Sequence, residues 1–353
     1  MSGGLLVAKE RDASLSFIQL VCCIAVVTLH ANGCFWFGPG DKCWASANII
    51  ESVFYFAVPV FFMLTGVTLL DYGKKYSTRE FIKKRINRVV IPYVVWSLIG
   101  IVFLILIHKL SVHDVNARYI FQGLMNGGSI VDYFWFFPSL FCVYLSLPIF
   151  TRISDKKKVA EYIIVIGGVF NIVFPFVINT LNYYLDLKLG SSINLPAVAG
   201  YLYFVWLGYY IYKFPPGKRV KLIVYVFALA GLAVHMVGTY RLSVNAGQIV
   251  NLYKGYNNLP CVCYSLGVFL LLRDIGTAIE KHGSIKRWVC IWGEYTFSCY
   301  LIQWFLIYIM NELQIVDTSS LLYRLISPVC YFGVIVVIVF IMRKIPVVKR
   351  IVT

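Results

Sequence analysis

The chain has 353 residues; 60% are hydrophobic, only 14% are charged, and the formal net charge is +16. Soluble domains lie nearer about 45–50% apolar and about 25% charged. So few charges cannot clothe a chain of this length, which excludes a soluble globular enzyme, a disordered chain and a coiled coil.

Ten helices of about 20 residues would use about 200 positions, close to the apolar content. The expected class is an all-α polytopic membrane protein, one integral-membrane domain over 1–353 with no second soluble domain. Apolar runs between charged loops predict spans near 14–37, 48–70, 89–108, 133–151, 159–180, 195–212, 221–240, 257–272, 288–310 and 322–342. Of the 32 Lys and Arg, 25 fall on one side, in Lys9–Arg11 and the loops 71–88, 152–158, 213–221, 273–287 and 343–350. The other 7 are Lys42, Lys109, Arg118, Lys188, Arg241, Lys254 and Arg324. This bias predicts that both termini are cytoplasmic. The basic excess then orients the protein and meets anionic membrane lipids, with no need of a nucleic acid partner. The first apolar run is too long for a cleavable leader, and no A-x-A-like site follows it.

Ionisable groups inside a span are costly, so each is a candidate site. His30 closes the run LVCCIAVVTLH in the outer half of span 1. Gln19, eleven residues earlier, is roughly 20° past three full turns and about 16 Å away along the axis. The two share a face, as the wall of a polar cavity would require. His30 can act there as general base on a hydroxyl near neutral pH; the bland alternative is a structural His bonded to a neighbouring helix. Residues 81–93, FIKKRINRVVIPY, are basic. Arg85 and Arg88, spaced i,i+3, are expected to share a face at the cytoplasmic mouth, with Lys84 beside them. Arg suits phosphate, but spacing alone favours plain positive-inside anchoring of the cluster. In 54–66, FYFAVPVFFMLTG, Pro59 should kink the helix. Glu51 at its outer end could orient or charge-pair His30, or lie at headgroup level. Tyr133 and Trp135 open span 4, and Tyr300 and Gln303 lie in span 9; these are supporting candidates. His108, His113, His235 and His282 are read as non-catalytic. Cys34 and Cys43 flank FWFGPGDK near the first outer loop, where a disulfide is one option and two free thiols the other. No C-x-x-C metal motif is present, and no metal is expected.

These segments resemble the membrane acyltransferase 3 family. RDASLSFIQLVCCIAVVTLHA is similar to the family's opening pattern, with Arg11 and His30 on its outer members. VPVFFMLTGVTLL, FIKKRINRVVIPYVVWSLI, FWFFPSLFCVYLSLPIF, YLYFVWLGYYI and YTFSCYLIQWFLI resemble later family segments in order, from about residue 9 to 345. The resemblance implies a ten-helix, multi-pass enzyme of the bacterial cytoplasmic (inner) membrane. Such enzymes pass an acyl group, usually acetyl, from cytosolic acyl-CoA to a hydroxyl of a cell-envelope glycan or lipid-linked sugar. His30 would be the catalytic His, Arg85 and Arg88 would meet the CoA phosphates, and Arg11 would sit at the cytoplasmic mouth. Gln19 stands where the family usually has Arg, Ser16 where it usually has Asp, and Tyr133 and Gln303 where many members have His. Gln19 could still donate a hydrogen bond to the donor's thioester arm. The alternative is a transporter or exporter of a glycan or amphipathic small molecule using the same polar cavity, and a third reading is a membrane scaffold subunit. A homo-oligomer is compatible with each.

Overall fold

The computed structural model describes residues 12–190, 193, 195–314 and 316–352. Arg11 and Lys9 therefore lie outside the described residues. Sixteen α-helices and no strand occur among the described residues. They are α1 (Ala13–Ala31), α2 (Trp44–Phe54), α3 (Ala57–Leu69), α4 (Thr78–Arg85), α5 (Ile91–Leu106), α6 (Ala117–Asn126), α7 (Phe136–Phe150) and α8 (Lys157–Gly168). Then follow α9 (Phe174–Leu185), α10 (Tyr201–Lys213), α11 (Lys218–Ala233), α12 (Thr239–Ala246), α13 (Leu259–Ile279), α14 (Gly283–Gly293), α15 (Thr296–Leu313) and α16 (Leu321–Met342).

Among the described residues eight segments are long and apolar enough to cross a membrane: 13–31, 44–74, 78–106, 132–150, 157–185, 218–246, 259–279 and 321–342. Two predicted spans differ from this. The sixth shortens to α10, 13 residues with both Trp206 and Phe204 fully buried, so it is a core helix packed by others. The ninth is broken between α14 and α15 at Glu294 and Tyr295. The protein is a membrane protein by what it shows to its surroundings. In the spans 157–185 and 218–246 only 17% of the most apolar stretch is buried, and Leu222, Phe227 and Leu229 stand exposed on α11. Such faces suit hydrocarbon, where every backbone group is already paired within the helix.

Several helices are irregular for identifiable reasons. α4 runs into α5 through a π-helical turn, Ile86–Val90, two residues before Pro92. Proline has no N–H and crowds the carbonyl four residues back, here that of Arg88, and the widened turn relieves this. The turn Val169–Val173 precedes Pro175 in the same way. The predicted kink in the second span falls at Tyr55–Phe56, between α2 and α3. Pro59 then sits in the first turn of α3, where its missing N–H costs nothing.

The loops assigned to the cytoplasmic side meet at one end of the bundle. Asp71 accepts from Ser154 Oγ at 2.6 Å and Tyr209 OH at 2.7 Å. Lys213 and Lys74 both bond Asp155, and Tyr212 OH donates to Asp12 at 3.0 Å. Glu280 accepts from the Ala13 N–H and pairs with Lys286 at 3.2 Å, a carboxylate at the helix N-terminus where the macrodipole favours it. Partial burial pushes the Glu280 carboxyl up, but the Ala13 N–H and the Lys286 ammonium outweigh it and its pKa is lowered. A lowered carboxyl pKa stabilises above the unfolded value and loses that contribution as pH falls through the folded one. Thermal stability should therefore drop on acidification below the ordinary glutamate range, about 4.3. Glu280→Gln should lower stability at neutral pH and flatten that acid limb in a melting series; an unchanged acid limb would contradict it.

The far end was less legible. Arg324, counted above as an outer charge, is 1% exposed. It donates to Asn32 Oδ1 at 3.1 Å and Ser46 Oγ at 2.8 Å, tying α1, α2 and α16 together. At the near end Val352 is fully buried. Its carbonyl accepts from Ser298 Oγ at 3.1 Å, and that of Ile351 from Trp96 Nε1 at 3.0 Å, so the last described residues thread between α5 and α15.

Candidate active site

One cavity of about 410 Å³ runs through the bundle, within the size range of small-molecule sites. α1 supplies Gln19, Val26 and His30, and α3 supplies Phe61, Leu64, Thr65, Thr68 and Leu69. Arg85, at the end of α4, and Tyr144 of α7 lie at the same end as Gln19. Glu51, Trp36, Trp135 and Tyr256 line the other end.

The two walls that matter come from the two helices the sequence singled out. α1 is capped by Asp12, whose side chain accepts from the Leu15 N–H at 3.1 Å, and it stays regular to Ala31. Its unbroken turn keeps Gln19 and His30 on one face, as their spacing requires. The His30 ring stacks on Tyr133, with centroids 3.4 Å apart and planes 8° from parallel. Tyr133 is in turn held by Tyr300, whose hydroxyl donates to the Tyr133 carbonyl. His30 Nδ1 is buried with no hydrogen-bond partner, and the fully buried Gln303 side chain lies against the imidazole.

Arg85 lies near two rings, 5.7 Å from Phe81 and 5.8 Å from Tyr144, a cation–π setting. Its Nε is buried without a partner. The expectation that Arg85 and Arg88 share a face is corrected by the π turn. That turn takes in Arg88 and removes the ordinary helical register between the two. Arg88 is exposed and not part of the lining, while Arg85 is. Lys84 also lies off the cavity, bonded to Glu80 at 2.7 Å and 3.9 Å above the Tyr76 ring.

Glu51 does line the cavity, but its charge partner is not His30. Lys254 holds it at 3.1 Å, with side chains only 5% and 7% exposed. Lys254, one of the seven outer charges, stands among the aromatics of NLYKGY, with nothing nearby in sequence that marks it as the partner of Glu51. Cys34 and Cys43 are neighbours but stand as free thiols, with no disulfide between them. His235 sits in a third π turn with both ring nitrogens unpartnered, edge-on to Tyr55 at 5.0 Å.

Seven of the candidate residues thus share one cavity: Gln19, His30, Glu51, Arg85, Tyr133, Trp135 and Tyr300. Gln303 is buried beside His30. The cavity offers an imidazole midway, a cation at one end, and a carboxylate among aromatic faces at the other. That set can hold an anionic group, take a proton and seat a hydroxylated ligand. No curated relative and no solved structure matches the chain. A family model described as an acyltransferase domain, acyltransferase 3, matches residues 12–343, which takes in every element that lines the cavity, and the chain belongs to that acyltransferase family.

Proposed function

We propose that this acyltransferase moves an acyl group, usually acetyl, from cytosolic acyl-CoA to a hydroxyl of a cell-envelope glycan or lipid-linked sugar. In this reading the chain crosses the inner membrane ten times with both termini cytoplasmic, α10 and α15 adding their crossings to the eight long apolar segments. The observation that carries it is one cavity, in a chain of this family, with Arg85 at one end and His30 along its wall.

The donor enters at the Arg85 end, where a guanidinium can pair with a phosphate oxygen. Gln19 donates a hydrogen bond to the thioester arm as it runs along α1 toward His30. His30 takes the proton of the acceptor hydroxyl, and the oxygen attacks the thioester carbon. The C–O bond forms, the C–S bond breaks, and the imidazolium returns its proton to the departing CoA thiolate. Tyr133, stacked on the ring and fixed by Tyr300, keeps the imidazole aimed.

Equilibrium binding of radiolabelled acetyl-CoA to the detergent-solubilised protein tests the donor end. Arg85→Ala should weaken binding about tenfold or more, the scale of one lost charge-assisted contact. Arg88→Ala should stay within about twofold. Equal losses at the two arginines would return the pair to membrane anchoring, and no saturable binding by folded wild type would argue for the exporter reading.

A further inference from the structure

The first outer segment folds back over one end of the cavity. Gly33–Phe37 form a 3-10 turn, Phe35 is fully buried and stacks on Trp44 at 5.9 Å, and Trp36 reaches the cavity wall. Lys254 holds this segment from below. Its ammonium lies 5.0 Å from the Phe35 ring, 5.0 Å from Trp36 and 4.3 Å from Tyr55, and it bonds Glu51 at 3.1 Å. The positive charge is thus enclosed by rings and spent on one carboxylate, while that carboxylate still lines the cavity. Opposite it Trp135 stacks on Tyr256 at 5.7 Å and 18°, and both line the same end.

From this arrangement we infer that Lys254 is the positioning residue of the acceptor end, and that the end it builds selects a neutral, hydroxyl-rich acceptor over an anionic one. The physical reason is what each group offers. A carboxylate is an acceptor only, so Glu51 receives O–H donors from a hydroxylated ligand and gives a second carboxylate no donor to replace its lost hydration. The rings of Trp36, Trp135 and Tyr256 give flat apolar faces for the C–H side of such a ligand. Lys254 touches neither the ligand nor the reacting atoms; it fixes Glu51 and the Trp36 segment in one geometry. Among the described residues that line the cavity an acidic ligand would find no uncommitted cation at this end, because Arg85 lies at the other. The inference rests on the acyl-transfer reading only for calling this the acceptor end.

Two probes that differ in one carboxylate test it: p-nitrophenyl β-D-glucoside and p-nitrophenyl β-D-glucuronide. Binding to the full-length protein in detergent is read as quenching of tryptophan emission, so no turnover is required. The wild type should bind the glucoside at least about tenfold more tightly than the glucuronide. Lys254→Met should weaken glucoside binding about tenfold while acetyl-CoA affinity stays within about twofold, and Lys254→Arg should restore most of the loss. Removing one partner of a buried pair can unfold a protein. The neutral double variant Glu51→Gln/Lys254→Met avoids an orphaned charge and should bring the glucoside-to-glucuronide ratio close to one. Equal wild-type affinity for the two probes, binding of neither, or a Lys254→Met defect shared equally by acetyl-CoA would overturn the inference. Radiolabelled acetyl transfer to the glucoside is followed in parallel. The expected binding pattern with no transfer would leave the selective end standing and remove the acyl-transfer reading instead.

Discussion

His30→Ala is expected to lower acyl transfer from acetyl-CoA by about a thousandfold. A positioned general base contributes about 10²–10⁴ in rate, and no other imidazole lines the cavity among the described residues. The fold should survive. The residue stacks on Tyr133 and contacts an existing cavity, so truncation enlarges a space that is already there, and the lost ring pair is worth about 1 kcal/mol. Acetyl-CoA binding, assigned to the Arg85 end, should change little. The measurement is radiolabelled product formed by wild type and variant at matched amounts of monodisperse protein. Transfer at the wild-type rate would remove His30 from the chemistry. Loss of glycan or amphiphile movement across reconstituted vesicles in His30→Ala, beside a wild type that never transfers acyl groups, would instead favour the exporter.

The second large effect is structural. α3 and α10 pack with their backbones almost in contact, because each offers a glycine to the other. A Cβ added at Gly66 would lie 1.9 Å from the Val205 carbonyl oxygen, and one at Gly208 2.4 Å from Met63 Cα and its carbonyl oxygen. Both obstacles are backbone, which cannot rotate aside. Small residues of this kind are what allows helices to associate in a membrane, where no hydrophobic force drives them together. Gly66→Val or Gly208→Val should cost about 3 kcal/mol or more, seen as a melting temperature lower by about 5–10 °C in detergent or as aggregated protein. Activity should fall too, since α3 carries Thr65, Thr68 and Leu69 to the cavity wall. Gly333→Ala on α16 is the control, because a Cβ there meets nothing within 4 Å. A melting point unchanged in both valine variants would contradict the packing.

The contrast between α1 and α4–α5 shows where reading the chain succeeds. Gln19 and His30 lie within one unbroken helix, so a spacing of eleven residues maps directly to a shared face. Arg85 and Arg88 lie three apart, but Pro92 forces the π turn between them, and only Arg85 reaches the cavity. Capping and breaking signals explain other boundaries. α6 begins where the Asn116 side chain accepts from the Tyr119 N–H at 2.9 Å, a helix that the apolar runs alone did not indicate.

The sequence by itself determined the class of the protein, the helical solution, the grouping of the basic loops at one end and the family. Each follows from composition, from the period of the apolar runs, or from motifs kept in order along the chain, all of which are local. Tertiary structure alone decided who meets whom. Glu51 and Lys254 are two hundred and three residues apart, and nothing local announces that pair. The same holds for Arg324 with Asn32 and for Tyr300 with Tyr133. Partners of this kind are set by which helix faces can approach closely enough to exclude lipid and still satisfy a buried charge. Packing of the whole bundle decides that, and no single helix encodes it.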